Sequence, residues 1–199
     1  MQITITTEKR KEVEAIQKAF KQHLSNSVIL RSTAQAINGT MMRAIPKINK
    51  GVKENYNITQ KYMGRIAAVK PKATQHSLHA GIHLRYAPIP VIGFKPKQTK
   101  AGIDVAIQKG KTKSIRSAFL ASMKSGHTGV FSRGRYQRGI GFVPHTNRSI
   151  TEIRTASPFS MGVGERVAPQ VNEFIGKEVI RSTQGILQAQ VSKLINSVR

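Results

Sequence analysis

The chain of 199 residues carries 33 Lys and Arg against 9 Asp and Glu, a formal charge of +24, and has no cysteine. The missing cysteines exclude disulfides, thiolate zinc sites and thiol chemistry. Charge of this size repels itself in an isolated compact monomer, so a polyanion or an acidic partner is expected, nucleic acid first among them.

Residues 2–6 alternate polar and apolar side chains, as a short strand or an extended lead-in would. Thr7 is placed to cap a helix with Glu8 in its first turn. Val13, Ile16, Ala19, Phe20 and Leu24 recur at helical spacing, which predicts a helix from about Glu8 to His23. After the break at Ser25-Asn26-Ser27 comes a second helical pattern, from Val28 through Ile37, Met41 and Ile48 to Val52. It predicts one long helix over Ser27 to Asn55, kinked or ended in its straight part by Pro46, which has no N–H to donate and clashes with the preceding turn. A short third helix over Gln60 to Arg65 follows, with Tyr62, Met63 and Ile66 as core contacts. Two helices and a tight link admit a helix-turn-helix, but a plain helical hairpin is the simpler expectation.

Past Arg65 the period changes from 3.6 to 2. Leu78, Ala80, Ile82 and Leu84 predict a half-buried strand, and Ile103, Val105 and Ile107 predict another. The Pro-containing stretch Ala87 to Pro90 is extended and unsuited to a central strand. Lys95 to Lys100 reads as a basic loop and Lys109 to Lys113 as a basic turn. Ile115 to Met123 reads as a strand or a short helix, Gly129 to Ser132 as a strand, Gly139 to Val143 as its extension, and Ile150 to Ile153 as a last strand. Ala118 to Arg138 then forms a β-hairpin with a basic far end, with Phe119, Leu120, Val130 and Phe131 in the core. Ser157-Pro158 opens the final element, a helix of about 30 residues, ~45 Å long, which is expected to pack on the long N-terminal helix. Without Trp and with few aromatics the core is expected to be mostly aliphatic.

The expected fold is thus α+β: long N- and C-terminal helices packed with a small, mostly antiparallel β-sheet formed by the basic central region. One domain, 1–199, holds the N-terminal helices (1–66), the basic β region (67–155) and the C-terminal helix (156–199). Met1 to Ile5 lacks the charged and apolar regions of a signal peptide, and no apolar run approaches the ~20 residues of a membrane span. A soluble protein assembled in the cytoplasm is expected.

The charge is unevenly distributed. From Asn55 to Thr151 there are 17 Lys and Arg against one acid, Asp104. Residues Lys95, Lys97, Lys100, Lys109, Lys111, Lys113, Arg133, Arg135 and Arg138 are the candidates for a surface facing DNA or a partner. Phe131 and Tyr136, interleaved with the arginines, suit a nucleic-acid-binding loop, and the same loop suits a neighbouring subunit. Chemistry has little to stand on. Asp104 alone makes neither an acid–base pair nor a two-metal site, and a salt bridge to a Lys or Arg is expected for it. The spacing of His76, His79 and His83 would suit a helix, but the apolar pattern predicts a strand, on which only His79 and His83 share a face, so an exposed polar face outweighs a metal site. Gly110-Lys111-Thr112 lacks the upstream glycine of a phosphate-cradling loop. No enzyme, cofactor or metal is expected.

Several runs together resemble the minor tail protein Z family, the tail completion proteins of tailed phages and prophages. They are Ala34-Gln35-Ala36-Ile37-Asn38; Tyr62-Met63-Gly64-Arg65-Ile66; Ile89-Pro90-Val91-Ile92-Gly93-Phe94 with Gln98-Thr99-Lys100-Ala101-Gly102-Ile103; Ala118-Phe119-Leu120; Ser125 to Arg133; and Ser157-Pro158. The resemblance covers roughly Ser27 to the C-terminus. One departure is that the family's Leu-Pro-Ile before the last helix reads Arg148-Ser149-Ile150 here. The resemblance implies a structural virion protein at the head-proximal end of a phage or phage-derived tail. It implies a homo-oligomeric ring, six-fold favoured, that joins the tail to the neck. Its implied partners are tail terminator, tail tube or neck proteins and the DNA passing through, with no membrane. The alternative is a free nucleic-acid-binding protein using the basic region over 61–148.

Overall fold

A computed structural model describes residues 7–21, 24–63, 67–145 and 149–198. The lead-in expected over 2–6, the ends of the first and third helices and the Ile66 contact lie outside these residues. In chain order come α1 (Thr7–Phe20), α2 (Asn26–Asn55), α3 (Gln60–Met63), β1 (Ala67–Val69), β2 (Ile82–Leu84), a 3-10 turn (Val91–Phe94), β3 (Lys97–Thr99), β4 (Gly102–Gln108) and β5 (Lys111–Arg116). Then follow β6 (Phe119–Ser122), β7 (Thr128–Gln137), β8 (Gly141–Pro144), β9 (Ile150–Glu152), α4 (Pro158–Gly162) and α5 (Ala168–Val198). The fold is α+β, with long helices near both ends and antiparallel sheets between them. Among the described residues no helix is long and apolar enough to cross a membrane.

The chain forms two compact units. The first takes the described parts of 1–50, 67–84 and 162–199, and the second those of 51–66 and 85–161.

The first unit is helical. Along α2, Ile29, Thr33, Ile37, Met41, Ala44 and Ile48 are buried at steps of three or four residues, the stripe a core-facing helix requires. Pro46 lies within α2, which continues past it to Asn55. On α5, Val171, Ile175, Val179, Thr183 and Leu187 are buried in steps of four. The long terminal helix packs on α2, as expected: Arg43 pairs with Glu178 at 3.1 Å, and the Lys47 ammonium sits 5.4 Å from the centre of the Phe174 ring. It packs on α1 as well. Leu24, Ile29 and Leu187 form one buried cluster, with Ile16, Phe20, Val28 and Val191 against it. Farther along α5, the Lys177 ammonium bonds Glu173 at 2.6 Å and, by that bond and its charge, lowers the carboxyl's pKa.

The strand expected from Leu78 shrinks to Ile82–Leu84, paired with β1 in the register Ala67↔Leu84 to Val69↔Ile82. Ala80 and Gly81 are both buried, so the alternation fails there. Gly81 instead bonds a turn, accepting from Lys70 N at 2.9 Å and donating to Pro71 O at 3.1 Å. The last element also differs from expectation. Ser157 and Ser160 cap α4 reciprocally, each backbone N–H donating to the other's hydroxyl at 3.1 Å. The helix then stops at Gly162, and Val163 and Val167 lie in the link to α5. Pro169 falls in the first turn of α5, where its missing N–H costs nothing.

The second unit holds two antiparallel sheets. One has the order β3-β4-β5. The other is built on β7, which pairs with β6 through Thr128–Phe131, with β9 through Phe131–Arg133 and with β8 through Gly134–Gln137. Val91–Phe94 forms the 3-10 turn that leads into β3. The core combines Val52, Ile89, Val91, Ile103, Val105, Val130 and Ile153. Among the described residues its buried aromatics are Tyr56, Phe94 and Phe131, so it is largely aliphatic. Leu120, expected in the core, is exposed on the edge strand β6.

Candidate functional site

All nine basic candidates belong to the second unit, and every one is exposed. They sit on more strand than their composition implies. Lys97 is on β3, not in a loop, and Lys111 and Lys113 are on β5, beyond a turn made only by Lys109-Gly110. Arg133 and Arg135 lie on β7, two residues apart on one exposed face, and only Arg138 is in the turn to β8. The hairpin turn between β6 and β7 falls at residues 123–127, around the break at Ser125-Gly126, where Gly126 N donates to Met123 O at 2.9 Å and Met123 N to His127 O at 2.8 Å. The ladder explains these differences. β5 has only exposed and half-buried residues, so it shows no alternation, yet Ile103↔Ile115 and Asp104↔Ser114 pair it to the buried β4.

The candidates divide among several places. Lys100 occupies the β3–β4 hairpin turn and Lys109 the β4–β5 turn, at opposite ends of β4. Lys111 and Lys113 line the outer edge of that sheet. The arginines follow β7, where Arg133 stands opposite Ile150 and Arg135 opposite Val143.

Three candidates converge. Lys95, Lys97 and Lys109 line a cleft of about 700 Å³, and Lys53, at the end of α2, completes its rim. Asp104 and Thr112 belong to its walls. Asp104 and Lys97 are directly opposite across the β3–β4 ladder. The carboxylate nevertheless takes its hydrogen bond from the Ser114 hydroxyl, at 2.5 Å, in place of the expected salt bridge. The floor is the segment 56–60, held by its backbone. Asn57 N donates to Ile107 O at 3.0 Å and the Asn57 side chain to Ala106 O at 2.8 Å. Lys109 N donates to Asn55 O at 3.0 Å, and Thr59 N to Gly93 O at 2.9 Å. Lys95 reaches the cleft from a left-handed backbone, φ 52, that ends the 3-10 turn. Lys53 does not stand out in the sequence because it lies on a helix outside the basic span; the Tyr56↔Gln108 bridge and the Asn57 side-chain bond to Ala106 bring that helix end to the sheet.

The aromatic part of the arginine cluster changes too. Phe131 is buried and offers no stacking face. Tyr136 is exposed, but its ring meets Phe142 edge-on at 5.4 Å, and its hydroxyl both accepts from Arg154 N and donates to Arg154 O. Nearby, Glu152 is shared by His127, at 2.8 Å, and Arg154, at 3.4 Å, which ties the β6–β7 turn to β9.

The three histidines do not share one strand. His83 is exposed on β2, His79 precedes the strand, and His76 bonds Gln75 at 2.9 Å. Among the described residues no group of three or more His, Cys, Asp or Glu is placed to hold a metal ion. Gly110-Lys111-Thr112 runs from a turn into β5, not into a helix.

No family model, no curated protein and no solved structure matches this chain.

Proposed function

We propose that this chain is a structural virion protein that completes the head-proximal end of a phage or phage-derived tail and helps join it to the neck, beside the path of the DNA. The observation that carries this reading is the concentration of exposed cationic side chains on one β-rich unit. Nine of them come from β3, β5, β7 and the turns between strands. A surface of that kind serves contact with a polyanion or acidic neighbours, and the +24 charge favours assembly over life as an isolated monomer. The family resemblance supplies the location. On this reading the chain is not an enzyme and needs no cofactor. It works as a homo-oligomeric ring, six-fold favoured, against tail terminator, tail tube or neck proteins.

A second reading, a free nucleic-acid-binding protein, draws on the same charges. The two separate by experiment. Purified chain is added to tail tubes that lack it, and the particles are imaged; in parallel its affinity for duplex DNA is measured against salt. Rings at the head-proximal end support the tail assignment. A chain that stays monomeric, leaves the tubes unchanged and binds duplex tightly with a steep salt slope supports the alternative.

A further inference from the structure

We propose that the cleft bounded by Lys53, Lys95, Lys97 and Lys109 is a binding site for the phosphodiester backbone of a nucleic acid. The choice of occupant rests on the reading that places the chain beside DNA; the cleft does not.

The four ammonium groups come from four different places: the end of α2, the residue after the 3-10 turn, β3, and the β4–β5 turn. Among the described residues none of the four makes an ion pair or a side-chain hydrogen bond. Converging like charges raise the local energy unless an anion sits among them. Among the described residues of the lining one carboxylate, Asp104, faces them, which leaves a net charge of +3 there around a hollow of about 700 Å³. The frame is already in place, because the floor is bonded to β4 and to the 3-10 turn. Binding therefore needs only the lysine side chains to order.

The chemistry of the lining selects the class of anion. Among the described residues it holds lysines and no arginine, so it presents mobile point charges rather than planar forks. Its aromatic residues, Tyr56 and Phe94, are buried and present no face on which a base can stack. Contacts of this type go to phosphate oxygens and carry no sequence information. Thr112 and Gln60 add neutral groups able to bond the same oxygens. A volume of this size suits a short run of one strand. That strand belongs either to a duplex or to single-stranded nucleic acid, and the salt slope distinguishes them, at about 0.9 per phosphate for the first and about 0.7 for the second.

The test compares two charge-matched variants of the full chain. The first carries Lys53→Gln, Lys95→Gln, Lys97→Gln and Lys109→Gln. The second carries Lys100→Gln, Lys111→Gln, Lys113→Gln and Lys124→Gln, all exposed and outside the cleft. Binding of labelled duplex and single-stranded oligonucleotides of mixed sequence is titrated from roughly 50 to 200 mM salt. The cleft variant is expected to lose at least about tenfold more affinity than the control, with a salt slope shallower by several units. Equal losses overturn the proposal. Acetylation of the unaltered chain gives an independent reading, since the oligonucleotide is expected to protect the four cleft lysines ahead of the control four. Uniform protection overturns the proposal even where a variant fails to fold. If inorganic phosphate protects them equally well, the cleft is a simple ion site. If polyglutamate at equal charge displaces the oligonucleotide, the cleft serves an acidic protein. Either result also overturns it. Loss of the cleft's preference leaves the tail assignment standing, whereas a cleft that binds as expected in a chain never found on tails removes the tail assignment alone.

Discussion

Asn38 and Ala73 exchange two hydrogen bonds, each 2.8 Å long: the Asn38 amide donates to the Ala73 carbonyl and its oxygen accepts from the Ala73 N–H. A side chain on α2 thus satisfies both backbone groups of a residue in the connection between β1 and β2. Asn38→Ala leaves that peptide without its partners, at a cost of about 1–3 kcal/mol. Asn38→Asp keeps the acceptor but turns a carboxylate oxygen towards a carbonyl. Urea denaturation is expected to rank Asn38 above Asp and Ala. Hydrogen exchange at the Ala73 amide should rise in the Ala variant, and an unchanged rate there would show that the pairing is not maintained in solution.

Leu187 is fully buried against Leu24 and Ile29, where three helical segments meet. Leu187→Ala removes three carbons that no neighbour can replace, so a loss of about 2–5 kcal/mol is expected. Leu194, on the same helix but exposed, gives the contrast: Leu194→Ala should change the melting temperature little. Similar losses at both positions would mean that the end of α5 is covered in the folded protein.

Thr40 makes the opposite prediction. Its hydroxyl is buried in α2 with no hydrogen-bond partner among the described residues. Thr40→Val keeps the branched shape and removes the stranded polar group, whose burial costs about 1–3 kcal/mol. The variant should therefore melt at a higher temperature. A lower melting temperature would reveal a partner for the hydroxyl, such as an internal water.

The helices were legible in the sequence because a buried stripe recurs at a fixed step: Ile37, Met41, Ala44 and Ile48 announce α2 whatever packs against them. Pro46 did not end that helix, since a long helix flanked by packed neighbours tolerates one missing bond. The strands were legible only where one face is buried, as at Ile103 and Val105. Lys111 to Arg116 has no such face, and what makes it a strand is the ladder supplied by β4, a nonlocal partner. The basic cleft was half legible. Lys95, Lys97 and Lys109 are close in the chain and stood out by charge, whereas Lys53 belongs with them only through hydrogen bonds between residues about 50 positions apart.

Gly102 of β4 lies against the Ile115–Arg116 backbone of β5. Its φ is +150, and a Cβ built there would lie 2.2 Å from the Ile115 carbonyl oxygen. Gly102→Ala combines backbone strain of about 1–3 kcal/mol with crowding of similar size, so a loss on the order of 3 kcal/mol is expected. Gly126, in the turn between β6 and β7, also has a positive φ, +79, but open space around it. Gly126→Ala should cost only about 1–2 kcal/mol. The comparison, read by chemical denaturation, separates the two effects. Equal costs would show that the neighbouring strand yields to the added methyl group.

Arg133 and Arg135 stand on the exposed face of β7, outside the lysine cleft. Reversing both, Arg133→Glu with Arg135→Glu, moves the local charge by four units without touching the buried Val130 or Phe131. Exposed ion pairs contribute about 1 kcal/mol or less, so the variant should fold. If these arginines face DNA or acidic neighbours in the tail, tails carrying the variant should fail to complete or to pass DNA, although circular dichroism and melting stay near those of the unaltered chain. Particles of normal infectivity or lytic activity would remove β7 from the functional surface. That outcome would leave the cleft lysines as the place where the charge of this unit acts.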